Sequence, residues 1–139
     1  MNLVTILMRL LNLSKTKNKM ELKYFERSEF NCKCGCNTNY IDSDFLEMMD
    51  RARRIAGVPF KINSGYRCEK HPLSKKNPTS SHIKGIAADI RFIDSKNLAL
   101  IMGGLGGAGF ERFKIKTITS ECRRSKQQLD RDWETLIGS

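Results

Sequence analysis

The sequence predicts an α+β domain, a small antiparallel sheet flanked by helices. Three observations predict it. Two segments carry apolar residues at helical spacing, three short segments read as strands, and Gly, Pro and polar turn residues separate them. With 139 residues, 40% hydrophobic and 29% charged, the chain has room for one domain with a modest core. Disorder throughout and a multidomain enzyme are excluded.

Residues 1–13 (MNLVTILMRLLNL) are apolar but broken by Arg9, and no basic stretch precedes them. Lys-rich residues 14–19 follow without a small-residue cleavage site, so the segment does not read as a signal peptide. It reads as an added amphipathic helix, or as residues upstream of a true start at Met20. Residues 1–19 are therefore set apart as an N-terminal extension, 20–118 as the domain and 119–139 as a divergent tail. No apolar run approaches the roughly 20 residues that cross a bilayer, so no membrane span and no export by the chain's own signal are expected.

The lead-in, residues 20–37 (MELKYFERSEFNCKCGCN), scatters Tyr24, Phe25 and Phe30 among charges and predicts a packed segment with little regular structure. On an extended strand, Cys32, Cys34 and Cys36 would point to one face. Five cysteines is an odd number, and C-x-C-x-C lacks the two-residue gap common in structural zinc sites. Free, partly buried thiols in a reducing compartment are the bland reading, and zinc is the alternative.

Asp42 or Ser43 caps a helix whose apolar positions are Phe45, Leu46, Met49, Ala52, Ile55 and Ala56, with Gly57 to stop it and Pro59 beyond. Met48 and Met49 serve as filler at its core boundary. Residues 59–63 (PFKIN) alternate like a short strand, broken by Ser64 and Gly65. Residues 69–81 are polar, contain Pro72 and Pro78, and read as a surface loop long enough to suspect function. Residues 85–92 (GIAADIRF) read as a buried strand entered through small residues. A second helix starts near Asp94 or Ser95, runs through Leu98, Ile101, Met102 and Leu105, and ends in GGLGGAG before Phe110. These glycines follow a helix, whereas a phosphate loop must precede one, so they read as termination and close packing. Residues 111–118 (ERFKIKTI) alternate as a further strand. The tail carries Arg123, Arg124, Lys126, Arg131 and the only tryptophan, Trp133, and a helix over 125–137 is compatible with it.

The 25 Lys and Arg against 15 Asp and Glu give a net charge of +10, which favours anionic partners such as nucleic acid, phosphates or an acidic polymer. Nucleic acid is the poorer fit, because no aromatic residues interleave with basic ones on a sheet face and no zinc-finger spacing occurs.

Only two histidines are present. His82 lies in SSHIKGIAADI, where Gly85, Ala87 and Ala88 let the chain turn tightly and bring Asp89 inward beside it. Imidazole nitrogen plus carboxylate oxygen is a donor pair that zinc accepts. A capping histidine and a surface aspartate are the alternative. Arg67 follows a predicted strand end, where its planar fork could grip a carboxylate or a polarised carbonyl, and Tyr66 beside it could form a wall. A surface arginine and a half-buried tyrosine are equally compatible.

Ser64-Gly65-Tyr66-Arg67 followed by Ser80-x-His82-x-x-Gly85-x-Ala87-x-Asp89 resembles the zinc D-Ala-D-Ala carboxypeptidase family of the hedgehog/DD-peptidase fold, including its small phage and bacterial members. The opening LKYFERSEFNCKCG and the helix before PFKINSGYR are similar too, so the resemblance spans roughly 21–115. It implies that His82 and Asp89 are two of three protein ligands to Zn2+. It also implies that Arg67 orients the substrate carbonyl or stabilises the oxyanion, that Ser80 supports the His82 loop and that Tyr66 contacts substrate. The implied substrate is a peptidoglycan stem peptide, cut by a monomer that is made in the cytoplasm and acts at the bacterial cell wall. Zinc there activates a water and polarises the scissile carbonyl.

The family's third ligand is a histidine on a late strand, and this chain has no histidine after His82. The corresponding place reads ITSEC. Three accounts follow. Cys122 could supply a thiolate ligand and Glu121 a general base. The tail could be divergent and leave a two-ligand site in an impaired enzyme, which is the account the sequence favours. His71 could swing in from its loop, although the resemblance puts it at a non-ligand position. Lys75 and Lys76 also stand where many relatives have glycines.

Overall fold

The computed structural model of the chain describes residues 2–7 and 21–117. Four antiparallel strands, β1 (Asn2–Leu7), β2 (Lys61–Ser64), β3 (Ala87–Arg91) and β4 (Arg112–Thr117), form one sheet in the order β2-β3-β1-β4. Helices α1 (Ser43–Ala56), α2 (Pro72–Lys76) and α3 (Ser95–Gly107) connect them, making the α+β class with a small antiparallel sheet.

The N-terminal residues correct the sequence reading. The sequence predicts either an amphipathic helix there or residues upstream of a true start at Met20, yet Asn2–Leu7 is a strand lying between β3 and β4. Val4 and Ile6 are fully buried, and Thr5 between them points to the opposite face with period two. Local apolar density cannot distinguish this short strand from a helical turn. Pairing on both sides decides it: Thr5 stands opposite Asp89 of β3 and Lys114 of β4.

Helix α1 begins where the Asp42 carboxylate accepts the Phe45 amide at 3.0 Å, and it ends at Gly57 with φ 68°. Helix α3 begins where Asp94 accepts the Asn97 amide at 2.7 Å. The glycines of GGLGGAG do not all terminate this helix, since Gly103, Gly104, Gly106 and Gly107 lie within it. Gly104 sits where α3 crosses α1, and a Cβ there would collide with the Ala52 carbonyl and the Ala56 methyl. Small residues thus let the two backbones approach closely. Their inner faces (Phe45, Leu46, Met49, Ala52, Ile101 and Leu105) cover the sheet face made by Val4, Ile6, Ile62, Ala88 and Ile90.

The lead-in contains one short 3-10 turn, Arg27–Phe30, and the Phe30 ring at its end meets that of Phe25 ahead of it edge to face, with centroids 5.4 Å apart. The 69–81 loop contains the five-residue helix α2, because His71 caps it and Pro72 occupies its first position, where no amide donor is needed. The cysteine run is a turn rather than a strand: Gly35 (φ 105°) and Asn37 (φ 53°) are left-handed, which breaks the period-two alternation. Accordingly Cys32 is buried while Cys34 and Cys36 are exposed. The basic cluster and the helix expected over 125–137 lie outside the described residues. Among those described, no helix is long and apolar enough to cross a membrane.

Candidate active site

On the sheet face turned away from α1 and α3, alternation brings Thr5 of β1 beside Asp89 of β3. The loop preceding β3 folds back over this position. Gly85 makes that fold, having φ 72° and lying so close to the Tyr40 carbonyl and Ile41 that no side chain fits. Its carbonyl accepts the Asp42 amide at 2.8 Å, which ties the loop to the start of α1. The Ser80 hydroxyl accepts the His82 amide at 3.3 Å, and Ser80 also closes a turn by accepting the Ile83 amide at 3.1 Å.

His82 is thereby buried, with Nε2 lying 3.5 Å from Asp89 Oδ1. Its Nδ1 is 2.8 Å from the Gly65 carbonyl. A carbonyl only accepts, so Nδ1 carries a proton, and Nε2 is the ring nitrogen that faces Asp89 and the site. Any residue could supply that carbonyl, but only glycine fits here, since a Cβ would run into the Phe30 backbone at 2.7 Å.

Asp89 is the hub. Its Oδ1 accepts the Thr5 hydroxyl, and its Oδ2 accepts Arg67 Nη2 at 3.0 Å. Burial pushes the carboxyl up, but the His82 imidazole, the Thr5 hydroxyl and the Arg67 guanidinium outweigh it and hold the group below the ordinary carboxylate value. Arg67 is itself positioned by Ser64 Oγ, which accepts from Nε at 3.0 Å, and by its own amide, which donates to the His82 carbonyl at 3.2 Å. The arginine therefore grips a carboxylate of its own chain.

Tyr66 is buried in the core, and exposed Tyr40 packs edge-on against it with ring centroids 5.6 Å apart. Burial, followed by the neighbouring Cys68 and Cys32 thiols, pushes its phenol pKa up. His71 spends Nδ1 on the Leu73 amide at 3.1 Å to cap α2. Its proton affinity is lowered by burial and then by the neighbouring Arg67 guanidinium. Glu121 and Cys122 lie outside the described residues.

The sequence reading missed Thr5, because residues 1–19 were set apart from the domain. The β-branched alternation in LVTI was the available signal. Cys68 was missed as a companion of Cys32, Cys34 and Cys36, because 32 residues separate it from Cys36. These four are the one group of three or more His, Cys, Asp or Glu side chains close enough to share a metal ion among the described residues.

A catalytic zinc takes three protein donors and one open position. His82 Nε2 and Asp89 match two of the three in atom type, burial and mutual distance, and the described residues supply no third. The sequence matches the protein family described as Peptidase M15 over residues 23–120. That stretch contains Arg67, His82 and Asp89 and begins after β1. No curated protein and no solved structure matches the chain.

Proposed function

The chain belongs to the M15 peptidase family, and on that premise we propose that it is a zinc peptidase of peptidoglycan stem peptides whose turnover depends on a third donor from residues 118–139. The observation that carries this reading is the buried His82–Asp89 pair, 3.5 Å apart, with Arg67 fixed against it. Zinc held by these two side chains supplies Lewis acidity toward a scissile carbonyl and a nucleophile at neutral pH.

The chain's own residues prepare that chemistry. The Gly65 carbonyl fixes the His82 tautomer, so Nε2 offers its lone pair without rearrangement. Thr5 and Arg67 keep Asp89 ionised. Among the described residues Arg67 spends Nη2 on Asp89 and Nε on Ser64, which leaves Nη1 to orient a substrate carbonyl or to meet an oxyanion. Tyr66 and Ser80 support the cleft through packing and through the His82 loop. Cys122 is the candidate third donor and Glu121 the candidate general base on donor type alone; without them the site keeps two donors and turnover is impaired. The net charge of +10 favours docking on an anionic wall. The protein acts as a monomer, made in the cytoplasm and delivered to the wall.

The test uses the full chain, loaded with zinc, and a stem peptide ending in D-Ala-D-Ala, with products identified by mass spectrometry. Cleavage abolished by His82→Ala and by Cys122→Ala is the expected result, and the masses name the bond. Peptide binding without cleavage, in the wild type with zinc present, overturns the enzyme assignment in favour of a binding module on the same fold. The two-donor geometry is the observation that favours that second reading.

A further inference from the structure

Beyond the peptidase site, the chain holds four cysteines that the proposed reaction does not use. Cys32 follows the 3-10 turn, Cys34 and Cys36 sit on the turn around Gly35, and Cys68 lies four residues past β2. All four sulfurs lie within 4.8 Å of one another, and Cys34 Sγ is 3.4 Å from Cys68 Sγ. Four thiolates held tetrahedrally at about 2.3 Å from a zinc ion stand about 3.8 Å from each other, so the cluster is already near that size. A disulfide draws two sulfurs to about 2.0 Å and leaves the other two unexplained, and all four are free thiols.

The surroundings favour thiolates as well. The Cys68 amide donates to Cys32 Sγ at 3.3 Å and the Thr38 amide to Cys36 Sγ at 3.5 Å, while the Thr38 hydroxyl lies 2.9 Å from Cys36 Sγ. Such donors outside a metal's ligand set orient the sulfurs and stabilise their negative charge. The turn itself is prebuilt. The Cys32 amide donates to the Thr38 carbonyl at 2.9 Å, and Lys33 Nζ donates to the Asn63 carbonyl at 2.8 Å, which fastens the turn to the end of β2.

We propose that Cys32, Cys34, Cys36 and Cys68 form a second metal site, a closed tetrathiolate that binds one Zn2+ and has a structural role. Binding exchanges four S–H protons, released to solvent, for four S–Zn bonds with no change in oxidation state. A tetrahedral set of four soft sulfurs leaves no position for substrate, which separates this site in kind from the His82–Asp89 pair. Its effect is to join the lead-in to the segment that carries Arg67, because Cys68 is the next residue along the chain.

The full chain, purified with zinc under reducing conditions, is titrated with a mercurial reagent while released zinc is measured, in parallel for the wild type, His82→Ala and Cys34→Ser/Cys36→Ser. One zinc per chain that survives His82→Ala and is released as four thiols react is the expected result. The double variant loses that zinc. Apo protein given Co2+ shows a strong thiolate-to-cobalt charge-transfer band in both the wild type and His82→Ala. If His82→Ala removes all bound zinc, or if four wild-type thiols react with no metal released and no cobalt band forms, the proposal fails. The wild-type and His82→Ala measurements decide it even where the double variant does not fold. Neither outcome depends on peptidase activity, so failure of the peptidase reading is separately visible.

Discussion

Asp89 binds three partners through two oxygens, and its protonation state is coupled to folding. Its folded pKa lies below the ordinary carboxylate value, so the unfolded chain takes up a proton at a higher pH than the folded chain does. The metal-free protein therefore holds this contribution in full above the unfolded carboxylate pKa of about 3.9, and loses it as pH falls through the lower folded value. Acid unfolding of the metal-free chain should steepen below that point. Thr5→Val removes one hydrogen bond to a charged acceptor, a loss of about 1.5–3 kcal/mol, and should raise the Asp89 pKa. NMR titration of the carboxyl and denaturant melts at neutral pH check both effects, and an unmoved Asp89 pKa would show that the Thr5 hydroxyl does not matter. A second residue-scale prediction concerns the metal-free thiols. Hydrogen bonds from the Thr38 hydroxyl and amide bring the Cys36 thiol down to about 6, whereas Cys34 is pushed up to about 12. Iodoacetamide at pH 7 should accordingly label Cys36 before Cys34, since the thiolate is the nucleophile. Peptide mapping of the first-labelled site reads the result.

At the scale of elements, two glycines carry the contacts that set α1 against its neighbours. Gly104→Ala forces a methyl into the Ala52 carbonyl where α3 crosses α1, and overpacking of this kind costs about 1–3 kcal/mol. Gly106→Ala, two residues on and on the open face of the helix, should be neutral or mildly stabilising because alanine is the better helix former. Thermal melts of the pair separate packing from helix propensity. Gly85→Ala should cost more than Gly104→Ala, since φ 72° adds backbone strain to the collision with Tyr40. Most of this scaffold was legible in the sequence. Asp42, Gly57 and the spacing from Phe45 to Ala56 define α1 locally, and Asp94 does the same for the start of α3. The approach of His82 to Asp89 was legible from the small residues between them. What escaped was non-local. Glycines inside α3 look like a stop signal until a partner helix is seen to need the space, and Cys68 joins the cysteine turn only because the chain leaving β2 packs back on the lead-in, where the Tyr66 amide donates to the Phe30 carbonyl.

At the scale of the whole molecule, the sheet depends on a strand that a domain boundary at Met20 would cut away. Among the described residues β1 is the one neighbour of β4 and separates it from β3, pairing with residues 87–91 on one side and 112–117 on the other. No local pattern could reveal this, because the partners lie 80 or more positions away in sequence. A chain starting at Met20 loses Val4 and Ile6, each fully buried, and burial of such a side chain is worth about 1.5–3 kcal/mol. It also leaves the facing edges of β3 and β4 unpaired and deprives Asp89 of the Thr5 hydroxyl. The combined loss rivals the about 5–15 kcal/mol by which a domain is stable at all. The truncated chain should therefore show no cooperative melt and no near-ultraviolet dichroism, and a synthetic peptide of residues 1–13 added in excess should restore part of both by filling the gap. A truncated chain that melts cooperatively at the full-length temperature, with Asp89 titrating unchanged, would mean that β1 is dispensable and that β3 and β4 hold the site without it.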